Sequence, residues 1–256
     1  MPRLNIRYFS DIHLEFMKDN AIKKIMKNIQ TNAKDQICIL PGDIGYPQSE
    51  KYNNFMKFIS ANFVKTFVIP GNHEYYNNVH TMDKTKEYMK NYFSKFDNIT
   101  FLDNNYEYYQ DHCFIGTTLW SKITNPTYEI NDVYNIPNFD YLKYNRLNML
   151  SVDFLDTCLE NEKNCVVITH HIPSNKFIDK KYLTSKMIPY NQWFYCDLDD
   201  LIKKHEKKIK CWFYGHTHTP SESYINDILF LCNPIGYPNE NSKIDWNKTY
   251  ILSDDK

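Results

Sequence analysis

Five apolar, strand-length runs in this chain each stop at a short polar motif, and that arrangement limits the fold more than any other feature. In order the motifs are Asp11-Ile12-His13, Gly42-Asp43-Ile44-Gly45, Gly71-Asn72-His73-Glu74, His170-His171 and Gly215-His216-Thr217-His218. Helix-like segments separate the first three runs, so the chain reads as strands alternating with helices. In such units the loops at the carboxyl ends of the strands converge on one edge of the sheet. The five motifs are therefore expected to meet. Glycine usage points the same way. At average frequency a chain of this length would carry about 18 glycines, and this one has 6. Four of them, Gly42, Gly45, Gly71 and Gly215, fall inside the motifs, where a backbone turning sharply beside a polar cluster has no room for a Cβ.

Hydrophobic periodicity predicts strands at 5–10, 37–40, 66–69, 99–102, 106–109, 113–117, 165–169, 210–214, 223–225, 228–232 and 248–252. Helices are expected at 20–31, 50–62, 81–96, 141–161 and 197–208, the last capped by Asp197. Two polar stretches, 121–140 and 172–196, read as long loops, and loops of that length in compact domains are often functional. No repeat and no low-complexity linker interrupts the pattern. One α/β domain over residues 1–256 is the economical expectation.

The charge balance bears on partners without excluding nucleic acid. A net charge of −1 gives no global basic field toward nucleic acid or an anionic membrane. Lys203-Lys204 and Lys207-Lys208 fit the solvated face of a helix. No apolar run approaches the ~20 residues that cross a bilayer, and the first residues show no signal-peptide core. The 7 cysteines include no C-x-x-C pair, and five of them, Cys38, Cys113, Cys165, Cys211 and Cys232, lie in strand-like runs. Thiols used as core residues predict a reducing, cytoplasmic setting. Oligomeric state leaves no trace in the sequence.

The convergent donors carry the chemistry. Carboxylates, an amide oxygen and imidazoles brought together by five strand ends would be costly to bury without a cation to organise them. They are too many for one tetrahedral site, and the oxygen and imidazole mixture suits Mn, Fe, Zn, Co or Ni rather than calcium. Two divalent ions are therefore expected. A carboxylate such as Asp43 can bridge two metals ~3.5–4 Å apart, the spacing of two-metal hydrolases. Six of the 9 histidines sit in the motifs, and His80, His112 and His205 read as surface or capping residues. Tyr75, Tyr76, Trp120, Trp193 and Tyr237 read as packing before stacking platforms, and Asn131-Asp132 either reaches the cleft or faces solvent.

The five motifs resemble, in order and over nearly the whole chain, those of the calcineurin-like metallophosphoesterase superfamily: D-x-H, GD, GNH[DE], H and GHxH. The stretches Ser10–Phe16, Gly71–Tyr76, Gly116–Trp120 and Asn233–Tyr237 are similar to an intracellular branch of it. The resemblance implies a four-layer αββα sandwich, two mixed sheets flanked by helices, with a metal site at the carboxyl ends of the strands. It implies that Asp11, His13 and His218 hold one ion and that Asn72, His170 and His216 hold the other. His170 is preferred to His171 because it stands directly at the strand end. Asp43 would bridge the ions together with a water or hydroxide, the attacking group. His73 would contact the phosphate or protonate the leaving oxygen, and Glu74 would orient His73 or a neighbouring group. Protein Ser/Thr phosphatases of the superfamily extend the second motif with an arginine, which Gly42-Asp43-Ile44-Gly45 lacks. The expected activity is thus phosphodiester hydrolysis of a small or nucleotide-like substrate. Phosphomonoester hydrolysis stands next, and a non-catalytic scaffold retaining the fold stands last.

Overall fold

The computed structural model describes residues 3–30, 33–77, 79–240 and 244–253. In chain order the elements are β1 (Leu4–Tyr8), α1 (Asp19–Gln30), β2 (Ile37–Pro41), α2 (Glu50–Asn62), β3 (Lys65–Ile69), α3 (Met82–Phe93), β4 (Ile99–Phe101), β5 (Asn105–Tyr109) and β6 (His112–Thr117). There follow α4 (Asn131–Asn135), α5 (Tyr141–Asn161), β7 (Cys165–Thr169), α6 (Ile188–Asn191), α7 (Asp199–Lys204), β8 (Ile209–Phe213), β9 (Ser221–Ile225), β10 (Ile228–Cys232) and β11 (Thr249–Leu252).

The strands form two mixed sheets, ordered β11-β1-β2-β3-β4 and β5-β6-β7-β8-β10-β9. β1 to β4 run parallel in the first, and β6, β7, β8 and β10 run parallel in the second. The antiparallel strands β11, β5 and β9 lie at the edges. Parallel central strands send all their carboxyl ends to one side, which is what gathers the motifs.

Side-chain alternation explains the layers. In β2, Ile37 and Ile39 join the core between the sheets, while Cys38 and Leu40 face the helices. In β7, Val166 and Ile168 point between the sheets, and Cys165 and Val167 point outward. Strands buried on both faces need apolar residues at every position, so their sequence shows unbroken runs. Phe67 of β3 and Phe114 of β6 stack at 4.0 Å across the interface. Helices cover both outer faces: Ile22, Ile25 and Ile29 of α1 pack on the first sheet, and Leu155 and Leu159 of α5 on the second. The result is the expected four-layer αββα sandwich.

Several local expectations are corrected. The helix predicted at 197–208 spans only Asp199–Lys204, and its N-cap is Leu198 with no side-chain cap, so Asp197 does not serve. Asp199 instead lies in the first turn, where a carboxylate complements the helix dipole, and pairs with Lys176 at 2.7 Å. The helix predicted to reach residue 96 ends at Phe93, and the final residue of the one predicted at 20–31 lies outside the described residues. Neither long loop is structureless: 121–140 contains α4, and 172–196 contains α6 and two 3₁₀ turns. Short helical turns of this kind carry too few periodic residues to announce themselves. His112 and His205 are buried rather than at the surface, although His205 does cap α7.

Candidate metal centre

The motif loops hold unusual backbone. Asp11, His13, Asp43, His216 and His218, five of the seven ligand candidates, have left-handed φ of 52, 52, 55, 69 and 49°. Each such non-glycine residue costs on the order of 1–3 kcal/mol and persists only where its surroundings over-determine it. Here they do. The amides of Asp11, His13 and Leu14 donate to the carbonyls of Gly42, Asp43 and Ile44 at 3.0–3.1 Å, so the first two motifs pair as a ladder. The His216 amide donates to Asp11 Oδ1 at 3.0 Å, and the His73 amide to Asp43 Oδ1 at 2.9 Å. A Cβ on Gly71 would stand 2.1 Å from Asp43 Oδ1, and one on Gly42, at φ 83°, would stand 2.6 Å from the Gly71 nitrogen. Only glycine allows this approach.

Glu74 does a different job from orienting His73. Its carboxylate accepts from four main-chain amides: Asp43 at 3.0 Å, Ile44 at 2.7 Å, Gly45 at 3.2 Å and Gly71 at 2.6 Å. Burial and the Asp43 charge push its pKa up to about 7, against the pull of the Gly45 and Gly71 amides. It stitches the second motif to the third.

The donors fall into groups that can hold cations: Asp11 with His13 and His218, and Asp43 with His170 and His216. His13 Nε2 and His218 Nε2 lie 3.0 Å apart. His170 Nε2 lies 3.1 Å from His216 Nδ1, 2.9 Å from Asn72 Oδ1 and 3.4 Å from Asp43 Oδ2. Asp43 Oδ2 also faces His13 Nε2 at 3.8 Å, between the two groups. The other ring nitrogens of His13, His170 and His218 have their own acceptors, whereas His216 Nε2 is buried without a hydrogen-bond partner among the described residues. His13 Nδ1 meets Glu15 at 3.3 Å, His170 Nδ1 meets the Pro41 carbonyl at 2.8 Å, and His218 Nδ1 meets Glu240 at 2.6 Å. An imidazole with one nitrogen bonded outward and the other turned to a shared point is the arrangement of a metal-ligating histidine. The residues fit divalent ions.

Electrostatics follow from burial against charge. Burial alone would raise the Asp43 pKa, but the charges of His170, His73 and His13 hold it well below the carboxylate range. Burial opposes a charge on His170, yet Asp43 and Asp11 lift it to about 9. Asp11 and Glu240 lift His218 to about 9 in the same way. His216 is driven well below its ordinary value by burial and by His171 and His170. For His73, Asp43 and a hydrogen bond to Glu15 outweigh burial and raise the pKa. Its Nδ1 lies 2.9 Å from Glu15 Oε1, its ring stacks on Tyr76 at 4.2 Å, and its Nε2 lies 3.3 Å from the Tyr237 hydroxyl.

His171 packs its ring on His216 at 4.3 Å, but its nitrogens are engaged away from the ligand cluster. Its nitrogens meet the Tyr144 hydroxyl at 2.8 Å and the Thr118 carbonyl at 3.2 Å, and burial beside His170 lowers it to about 3. Tyr75, Trp120 and Trp193 pack in the core, whereas Tyr76 and Tyr237 line the site.

Three contributors were not assigned site roles from the sequence, although Glu15 lies in the matching stretch Ser10–Phe16 and Asn131-Asp132, expected either to reach the cleft or to face solvent, reaches the cleft. Glu15 reaches His13 and His73 because the left-handed His13 starts a 3₁₀ turn at Leu14–Phe16 that swings it back. Asp132 of α4 is fully buried and accepts from Asn72 Nδ2 at 2.8 Å and from the Tyr76 hydroxyl. That contact turns the amide nitrogen away and leaves Asn72 Oδ1 facing His170. Glu240 follows the matching stretch at Asn233–Tyr237 and is bonded to His218. A cavity of about 240 Å³ opens over the donors, walled by both long segments through Ile130, Asp132, Ile172, Ile178 and Phe194.

Comparison with known proteins agrees with this geometry. The family model described as calcineurin-like phosphoesterase matches residues 4–220. An uncharacterized protein of Acanthamoeba polyphaga mimivirus is 32% identical over 268 residues, covering 94% of each chain. The crystal structure of phosphopantetheinyl hydrolase from Mycobacterium tuberculosis is similar at a TM-score of 0.72 and 14% identity, over 99% of this chain and 97% of that one. A Thermus thermophilus protein is similar at a TM-score of 0.58 and 12% identity, over 91% and 90%. Among the described residues no helix is long and apolar enough to cross a membrane.

Proposed function

This chain belongs to the calcineurin-like phosphoesterase family, whose members hydrolyse phosphate esters with divalent metals, and from that premise we propose that it cleaves a phosphodiester at a two-ion centre. The observation that carries the reading is Asp43 Oδ2, at 3.4 Å from His170 Nε2 and 3.8 Å from His13 Nε2, in contact range of both donor groups at once. Asp11, His13 and His218 would hold one ion, Asn72, His170 and His216 the other, and Asp43 both. Two divalent ions held there would supply Lewis acidity, acidifying a water and offsetting charge on the phosphoryl oxygens.

The chain's own groups do the rest. His73 donates a proton from Nε2 to the leaving oxygen. Glu15, on Nδ1, keeps that proton-bearing nitrogen aimed inward and, with Asp43, favours the charged ring. Asp132 fixes the Asn72 amide with its oxygen toward the ligand cluster. Among the described residues, no Lys or Arg lines the cavity, while Asp43, Asp132 and Glu240 do. A diester brings one negative charge and a monoester nearly two at neutral pH, so this lining favours the diester. The cavity of about 240 Å³ suits a small or nucleotide-like group.

The test is turnover by protein loaded in turn with Mn, Fe, Co, Ni or Zn, on bis(p-nitrophenyl) phosphate and p-nitrophenyl phosphate. The diester is expected to show the higher kcat/KM. A faster monoester would overturn the diester assignment, and no turnover by fully loaded protein would overturn hydrolysis.

A further inference from the structure

A second opening adjoins the site at His73. It shares His73, Tyr76, Asn131, Tyr237 and Glu240 with the cavity over the donors, yet none of the seven ligand candidates lines it. At about 1200 Å³ against about 240 Å³, it is the larger of the two. Its rim at His73 carries Phe16, whose ring is 50% exposed. That ring lies 6.0 Å from the His73 ring and 5.6 Å from the Tyr237 ring, nearly perpendicular to both at 80° and 74°. Isolated exposed aromatics need no explanation, but Phe16, Tyr46 and Tyr237 share this one groove.

The two openings also differ in charge. The inner cavity presents Asp43, Asp132 and Glu240 and no basic side chain among the described residues. The groove presents Lys18 and Lys24, and its one carboxylate, Glu240, is engaged by His218 and the Tyr237 amide. A second phosphate, carried on the substrate away from the scissile group, therefore meets basic side chains in the groove and none in the inner cavity.

We propose that this groove binds the leaving arm of the diester, and that the arm is an aromatic ring system carrying a phosphate, as in a nucleotide. The assignment rests on the hydrolytic reading above. In an in-line displacement the leaving oxygen departs opposite the attacking one, so attack from the ligand side sends it toward His73 and the groove. The oxygen of water forms the new P–O bond, and the P–O bond to the leaving arm breaks. His73 Nε2 gives its proton to the departing oxygen, and water's spare proton returns the imidazole to its charged form. The retained arm stays over the donors against Ile172, Ile178 and Phe194. The products are a monoester of the retained arm and a free alcohol.

The experiment uses metal-loaded protein and adenosine 3′-(methyl phosphate), with and without a 5′-phosphate. The expected products of the phosphorylated substrate are methyl phosphate and AMP. Its kcat/KM is expected to exceed that of the unphosphorylated one by about tenfold, the size of a charge-assisted contact. Lys18→Ala/Lys24→Ala should erase that advantage, bringing the kcat/KM of the phosphorylated substrate down to that of the unphosphorylated one. Phe16→Ala should cost about tenfold on the nucleotide relative to an abasic ribose analogue, as loss of a stacking surface does. Release of methanol and adenosine 3′,5′-bisphosphate would overturn the assignment, as would equal rates with and without the 5′-phosphate. Absence of turnover on every diester, the chromogenic one included, would instead remove the hydrolytic reading and this assignment with it.

Discussion

The motif loops and the two long segments at 121–140 and 172–196 build the same cavity by opposite means. The motif loops are short, pinned by glycine, left-handed at five ligand candidates and braced by one another's amides. The long segments are polar, carry brief helical turns and lean chiefly on each other. Gln192 Oε1 accepts from the amides of Thr124 and Asn125 at 2.9 Å, and Trp193 Nε1 donates to the Tyr128 carbonyl at 2.7 Å. A buried carboxylate, Asp132, ties the first segment to the ligand cluster. Groups that must share a point within a few ångströms leave the backbone little choice, whereas a wall for a substrate can be built in many ways.

Substitutions in the motif loops should therefore cost far more than those in the long segments. Asp43→Asn is expected to lower turnover by about a thousandfold or more, since several kcal/mol of charge stabilisation would be lost. It should lower metal content too, and wild-type content in that variant would contradict the bridging role. His73→Ala should cost about 10²–10⁴-fold on alkyl esters but much less on p-nitrophenyl esters, whose leaving group needs no proton. Metal content near normal should accompany it, and a large loss would mark His73 as a ligand.

A pH profile sharpens the same point. Burial lowers the His73 pKa, but Asp43 and Glu15 raise it above its ordinary value. The charged, proton-donating ring thus persists to higher pH than in an ordinary histidine and is lost as pH rises through the raised pKa. Alkyl-ester turnover should fall on that alkaline limb. Glu15→Gln removes one of the raising charges and should move the fall to lower pH. A limb that does not move would detach Glu15 from His73.

The same division governs what the sequence made legible. The strands were readable because sheets buried on both faces require unbroken apolar runs such as Ile37–Pro41 and Cys165–Thr169, whereas the four layers followed from the family resemblance. The gathering of Asp11, His13, Asp43, Asn72, His170, His216 and His218 followed from parallel strands ending on one side. Asp132 was among the residues that could reach the cleft, but its bond to Asn72 and that of Glu15 to His73 were not readable, because they depend on a five-residue helix and a 3₁₀ turn too short to show a period. Glu74 was expected to orient His73 or a neighbouring group. Four main-chain amides claim it instead, a demand that no side-chain spacing reveals.

Smaller effects test the link between the regions. Asp132→Ala frees the Asn72 amide to rotate, and an outer partner of this kind typically contributes 10–100-fold in metal affinity or activity. Calorimetric metal binding would register it, and unchanged affinity would make α4 a wall only. Gln192→Ala removes the bonds to Thr124 and Asn125 at a half-buried position. It should raise KM severalfold with kcat nearly unchanged, as loss of about 1 kcal/mol of ordering allows. An equal drop in kcat would mean that the segments help hold the reacting groups.

The most direct measurement is metal stoichiometry on the wild-type protein, by elemental analysis after loading and desalting, followed through a titration of diester turnover. Two equivalents per chain, with turnover appearing as the second binds, is the predicted result. Full turnover at one equivalent, or with no metal bound, would contradict a shared centre built from five strand ends.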